Sequence, residues 1–174
     1  MDYVTYGEKR AQLQSEILKI RKARRIGLGS ELTFLFQNTA TIRQQIQESV
    51  YRNQFVQESH IQGEIDAYNQ QLASTGELSC TLRITIPQDS EYNRSLQQWK
   101  KRIKSIYLLT VTGEKLRPII FIPSSDERLS SIYYLRFVLG SRPPTALGID
   151  HSEIQLETSF TREQRQALIQ DLNP

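Results

Sequence analysis

The sequence predicts an α+β domain in which a mostly antiparallel sheet packs against helices. Three observations predict it. Several segments carry apolar residues at helical spacing, and others alternate apolar and polar residues with the period of a half-buried strand. The order of these segments is helix, two strands, two helices, strand, helix, several strands, helix. It lacks the regular strand–helix–strand alternation that a parallel sheet requires. The chain is 174 residues long, which suits one domain spanning 1–174 with a core large enough to need no covalent staple.

Taken in order, Tyr6, Leu13, Ile17 and Ile20 mark a first helix that ends near Arg24–Arg25, ahead of Gly27 and Gly29. Cations suit a helix C-terminus and glycine suits the exit. Arg25–Leu28 and Leu32–Phe36 then form two short strands around a Gly29-Ser30 turn. Thr41 is the expected N-cap of a second helix, with Gln44 completing a capping box, and that helix is expected to run to about Ser59. Ile61, Ile65, Tyr68 and Leu72 give a third helix, so that residues 41–73 read as a helical hairpin.

Leu78, Cys80, Leu82, Ile84 and Ile86 alternate with polar neighbours and give the clearest strand signal, closed by Pro87. A helix from about Glu91 presents Tyr92, Leu96, Trp99 and Ile103. Ile106–Thr112 and Leu116–Ile122 read as a hairpin around Gly113-Glu114, followed by a polar loop over Ser124–Arg128. Ile132–Leu139 is another strand, Pro143-Pro144 a turn, and Ile149–Ser159 a last strand. Thr161 and Gln164 form a capping box for a terminal helix that holds Leu168 and Leu172.

Composition excludes several classes. Hydrophobic residues are 38% and charged residues 24% of the chain, and the 18 glutamines are scattered rather than tracted, so neither a disordered tail nor a low-complexity segment is indicated. No apolar run approaches the about 20 residues of a membrane helix. The first residues lack a basic stretch followed by an apolar core, so no signal peptide is read, and the cytoplasm is the expected compartment. Cys80 is the single cysteine and His60 and His151 the two histidines, which leaves no metal-ligand spacing and no disulfide.

Motifs for nucleotide chemistry are missing. Gly27-Leu28-Gly29 lacks the third glycine of a dinucleotide loop, and there is neither a Gly-Lys-Ser/Thr sequence nor a Gly-x-Ser-x-Gly elbow. Asp150-His151, beside Gly148, pairs a carboxylate with an imidazole at a strand end; a turn with Asp150 bonded to local backbone reads the same residues structurally. Glu48 and Glu64 sit on the two hairpin helices and are expected to face each other near Tyr68. Facing carboxylates can hold a metal, but the Glu-x-x-His motifs of such bundles are absent, and solvated helix faces or a pair with one of the segment's arginines, Arg43 or Arg52, read the same residues structurally.

The net charge of +3 is unevenly placed. Residues 1–25 hold seven basic and three acidic side chains, and residues 91–104 hold five and one, so each segment is +4 and the remainder is −5. Such segments suit phosphates, or they are the wet faces of amphipathic helices. Aromatic side chains are not interleaved with the basic ones as in a stacking platform, which argues against nucleic acid.

Several stretches together resemble a bacterial domain-of-unknown-function family, number three-five-zero-one. They are Arg25-Ile26-Gly27-Leu28-Gly29, Leu35-Phe36-Gln37-Asn38 with Thr41, Gln45-Ile46-Gln47-Glu48, Glu64-Ile65-Asp66-Ala67-Tyr68-Asn69, Leu135-Arg136-Phe137 and Gly148-Ile149-Asp150-His151. Their order and spacing match across nearly the whole chain. The resemblance implies a single-domain cytoplasmic protein whose genes neighbour those of rubrerythrin-like proteins and iron–sulfur oxidoreductases. It thus implies a redox or oxidative-stress setting and a redox or iron–sulfur protein as partner, with no known activity and no assigned cofactor. The sequence departs from the family pattern at Gln37 and Asn53, where glutamates are usual, and after Tyr68-Asn69, where a Pro-rich loop is replaced by Gln70-Gln71-Leu72-Ala73. Those departures argue against carrying over a metal centre.

Three functions follow. The first is a non-catalytic accessory or binding protein, favoured by the missing catalytic motifs. The second is an enzyme or a cofactor- or metal-binding protein whose site draws on Arg25, Glu48, Glu64, Tyr68 and His151. Here His151 would act as acid–base or ligand and Arg25 as an anion clamp. The third is nucleic-acid binding through the two basic segments.

Overall fold

The first helix, α1 (Tyr3–Lys22), ends on Lys19, Arg21 and Lys22, cations that suit the negative end of the helix dipole. It stops two residues before the expected end because the chain turns at Arg24, whose N–H donates to the Arg21 carbonyl at 3.1 Å. The computed structural model describes residues 3–121 and 130–173, so the expected loop over Ser124–Arg128 lies outside the described residues. β1 (Arg25–Leu28) and β2 (Leu32–Phe36) pair antiparallel as expected, closed at Leu28–Leu32 by a turn in which Gly29 takes φ +63°.

The N-cap of α2 (Thr39–Asn53) lies three residues before the expected one. Asn38 is the N-cap: its backbone is extended, its side chain accepts from the Thr41 N–H, and the Thr41 hydroxyl accepts from the Asn38 N–H. Thr41 therefore closes the box instead of opening it. The helix also ends early, because Gln54 adopts a left-handed φ of +50° and its N–H returns to the carbonyls of the last turn. The hairpin is completed by α3 (Glu58–Asn69), which buries no residue.

The remaining elements are β3 (Glu77–Ile84), α4 (Tyr92–Arg102) running into a 3-10 turn at Ile103–Ser105, β4 (Ile106–Thr110), β5 (Lys115–Leu116), β6 (Ile119–Phe121), β7 (Ile132–Val138), β8 (Pro144–His151), β9 (Ile154–Ser159) and α5 (Arg162–Leu172). The Thr161–Gln164 capping box of α5 is present as expected. Two strand expectations change. The run Leu116–Ile122 is divided at Arg117-Pro118: β5 pairs with β4, whereas β6 pairs with β7 in another sheet. Proline has no N–H for a ladder, so a strand gives way there. The expected strand Ile149–Ser159 is a hairpin, β8 turning at Ser152-Glu153 into β9, and Pro144 begins β8 where a turn was expected.

There are thus two sheets among the described residues, ordered β1-β2-β3-β7-β6 and β5-β4-β8-β9, with every strand pair antiparallel. One apolar cluster joins them, containing Phe34, Phe36, Leu82 and Phe137 from the first and Ile106, Leu108, Leu147 and Ile149 from the second. Trp99, Leu168 and Leu172 bring α4 and α5 into the same cluster. Tyr6, Ile17, Ile42 and Val50 are buried outside it, between the first helices. That separate helical layer, with α1 on α2 and α3 on α2, carries the cavities described next. No helix among the described residues is long and apolar enough to cross a membrane.

Candidate functional site

Along α1, Tyr6, Arg10, Gln14, Ile17 and Arg21 recur at spacings of four, four, three and four, so they share one helix face. That face meets α2. There, Glu48 receives the Tyr6 hydroxyl at 2.7 Å, the Arg10 guanidinium at 2.8 and 3.1 Å, and the Gln14 amide at 3.1 Å. Arg52, one turn further along α2, adds an ion pair at 3.5 Å. The Arg10 fork is the dominant cause of a Glu48 pKa lowered to about 2, against the upward push of burial. In return, Glu48 raises the pKa of Arg10, and burial followed by Glu48 raises that of Tyr6. At neutral pH Glu48 is therefore an ionised anchor engaged by Tyr6, Arg10, Gln14 and Arg52, a poor general base.

Beside this anchor, α1 and α2 flank an open cavity of about 480 Å³ reached by Tyr68 of α3. Arg21, Gln44, Glu48 and Arg52 line it together. Arg21 donates from Nη2 to the Gln44 carbonyl oxygen at 2.8 Å, while its buried Nε has no hydrogen-bond partner. Loss of water, and then repulsion from Arg25, lower the Arg21 pKa. Among the described residues Arg21 forms no ion pair with a carboxylate. The cavity thus presents a half-buried cation with one unpartnered donor, offset at longer range by the Glu48 carboxylate.

The residues expected to form a site are only partly brought together. Glu48 and Tyr68 line this one cavity. Glu64 does not face Glu48, because Glu48 is turned toward α1; Glu64 instead lines a neighbouring space with Tyr134 and Arg136, sharing Tyr68. Arg25 lies exposed on β1, where its carbonyl accepts from Gln164 of α5. His151 ends β8 and its Nδ1 accepts the Glu153 N–H at 3.2 Å. Neither Arg25 nor His151 lines the Glu48 cavity. Asp150, beside His151, is bonded to Lys115 and Arg117 at 3.1 and 2.8 Å rather than to local backbone, and its pKa falls to about 2, Arg117 being the larger cause.

The Arg–Glu pair that the sequence offered on the hairpin is present as Glu48–Arg52, but sequence reasoning missed Arg10, Gln14 and Arg21 as site residues. The available signal was the polar continuation of the Tyr6–Ile17 stripe on α1. The family departures are structurally satisfied: Gln37 donates to Thr81 at 2.9 Å and accepts from Thr41 and Gln45, tying α2 to β3, and Asn53 donates to the Ser49 carbonyl at 3.0 Å. No group of three or more His, Cys, Asp or Glu side chains able to hold a metal occurs among the described residues. In the basic segments, Arg10, Arg24, Arg94 and Arg102 are engaged by Glu48, Asp171, Glu91 and Glu153, which reduces the charge free for phosphates.

A protein of unknown function from Burkholderia pseudomallei K96243, known from a crystal structure at 1.90 Å resolution, has the same fold. The TM-score is 0.90 at 23% identity, over 99% of this chain and 96% of that one. No curated protein matches the chain. A family model described as "Protein of unknown function (DUF3501)" matches residues 1–172. The chain, matched almost from end to end, belongs to that family.

Proposed function

We propose that this protein is a binding protein whose ligand is a small organic anion, a carboxylate or phosphate ester, held in the cavity between α1 and α2. The observation that carries the reading is Arg21: its Nε is buried without a partner, and its guanidinium forms no close ion pair among the described residues, the Glu48 carboxylate acting on it only at longer range. A buried, unpaired donor on a cation is costly unless a ligand completes it. Arg52 and the Gln44 and Tyr68 side chains supply further polar groups around the same space, whose volume of about 480 Å³ suits a metabolite-sized ligand. Binding is favoured over catalysis because Glu48, the acidic group in the cavity, is locked as an anion by Arg10.

Calorimetric titration of the full chain with mono- and dicarboxylates and phosphate esters at low salt tests this. At least one class is expected to bind at 1:1 stoichiometry, with Arg21→Met weakening it more than tenfold while the melting temperature is retained. Absence of binding across the panel, or binding indifferent to Arg21→Met, removes the reading. A redox or iron–sulfur protein as partner, in the cytoplasm, is proposed with it on the support of the family resemblance. Affinity capture from the native host that returns no redox protein counts against that partner.

A further inference from the structure

The opposite side of α2 carries a second cavity of different chemistry. Ile42, Ile46 and Val50 form one row of α2 at i, i+4, i+8. Together with Ile61 and Ile65 of α3 and Leu72 beyond it, they wall about 420 Å³ of space. Although its aliphatic stripe faces α2, α3 buries none of its residues, and Ile46, Ile61, Ile65 and Leu72 all remain half-exposed. The two helices are therefore packed as if something were to lie between them. Arg43 lines the same cavity, is exposed, and has no ion-pair partner among the described residues.

We infer that this cavity binds a free single-chain amphiphile, an alkyl or acyl chain with an anionic head group, with the chain along the Ile and Val walls and the head on Arg43. The volume lies within the range of small-molecule sites, about 300–1,000 Å³. A docking helix is a poorer occupant: with side chains it is about 10–12 Å across, so the space would admit roughly one turn of it. An alkyl chain is slim enough to bury its whole length against aliphatic walls, and a carboxylate or phosphate head complements the unpaired guanidinium. None of these residues lines the Glu48 cavity, so this inference and the anion reading stand or fall separately.

The test is calorimetric titration of the full chain with octanoate, decanoate, dodecanoate and decanol, each below its micelle concentration. A site that Arg21→Met leaves unchanged is expected, with affinity rising about threefold to fourfold per added methylene until the cavity is full, and decanol binding at least fivefold more weakly there than decanoate. Arg43→Gln is expected to abolish the difference between acid and alcohol, since Arg43 is exposed and its loss leaves folding intact. Ile46→Gln is expected to weaken both ligands more than tenfold, and an unchanged melting temperature confirms that the variant is folded. A flat chain-length series, equal affinity for decanoate and decanol, or indifference to Ile46→Gln overturns the inference. So does sedimentation with phosphatidylglycerol vesicles in the absence of monomeric decanoate binding, which assigns the face to a membrane surface.

Discussion

Tyr6 donates its phenolic hydrogen to Glu48 at 2.7 Å across 42 positions of sequence, in a buried contact that joins α1 to α2. Tyr6 also walls the apolar cavity while Glu48 lines the polar one, so this single bond lies in the partition between the two. The same carboxylate holds Arg10, whose guanidinium lies 5.3 Å over the Tyr51 ring, and Tyr51 packs edge-on against Tyr6 at 5.8 Å between centroids.

Glu48→Gln is expected to cost about 2 kcal/mol, because hydrogen bonds to an ionised acceptor are each worth about 1.5–3 kcal/mol net and Arg10 is left without its counter-charge. Tyr6→Phe is expected to cost about 1.5 kcal/mol by the same argument. The double variant should lose less than the sum, since Tyr6→Phe removes the bond that Glu48→Gln weakens by discharging its acceptor. Urea denaturation of the four proteins measures this, and strict additivity would contradict it.

Acid sensitivity follows from Glu48 and Asp150, both with folded-state pKa values lowered to about 2 from 4.5 and 3.8. As the pH drops below about 4.5, the unfolded chain takes up protons that the folded chain refuses. Their contribution is complete above that pH and lost as it falls toward about 2. The urea midpoint is expected to fall over pH 5 to 2, and Glu48→Gln to flatten part of that slope. A midpoint that rises on acidification would contradict the assignment.

Gly148 is required by a close approach. A Cβ there would lie 2.4 Å from the Tyr107 ring and hydroxyl and 2.9 Å from the Leu156 carbonyl oxygen on the neighbouring strand. Tyr107 is held over this position by its bond to Glu157 at 2.7 Å and by Lys115, 4.3 Å above its ring. Gly148→Ala is expected to destabilise by about 1–3 kcal/mol, the usual cost of overpacking. Tyr107→Ala should partly rescue it, and thermal melts of the single and double variants decide the matter.

Arg24 and Asp171 form a bidentate pair at 2.6 and 2.8 Å with both side chains 9% exposed, tying the turn after α1 to α5. Asp171→Asn leaves a buried guanidinium unpaired and is expected to cost about 3–5 kcal/mol. The double change Arg24→Met with Asp171→Leu should cost less than Asp171→Asn, since no charge is then stranded. Equal melting temperatures for the wild type and Asp171→Asn would show the pair to be dispensable.

Cys80 lies on β3, 2% exposed, and burial pushes its thiol pKa well above the usual range. A thiol reagent such as a disulfide dye is expected to label it promptly in denaturant and only at the rate of opening in the native state. Prompt native-state labelling would place the thiol at the surface and contradict the burial.

The elements that could be read locally were those whose signals lie within one turn or one hairpin. The Gly29-Ser30 turn delimits β1 and β2, and the Thr161–Gln164 box starts α5, because caps and tight turns are closed by residues a few positions apart. The start of α2 was missed by three residues because Asn38 and Thr41 are both good caps, and only the extended backbone at Asn38 chooses between them. The division at Arg117-Pro118 was missed because apolar alternation on either side is blind to which sheet each strand joins.

For the site, sequence alone determined the ingredients: an α+β fold, a helical hairpin, the family, and carboxylates on its two helices. Tertiary structure decided their partners. Helical periodicity places Glu48 on a face of α2 but leaves open which neighbour that face meets, and the docking of α1 settles it, supplying Tyr6, Arg10 and Gln14. The same docking turns Glu48 away from Glu64, while Arg25 on β1 and His151 on β8 lie outside the cavity lining. Charge pairing and cavity formation depend on contacts between residues tens of positions apart, and spacing along one element cannot encode them.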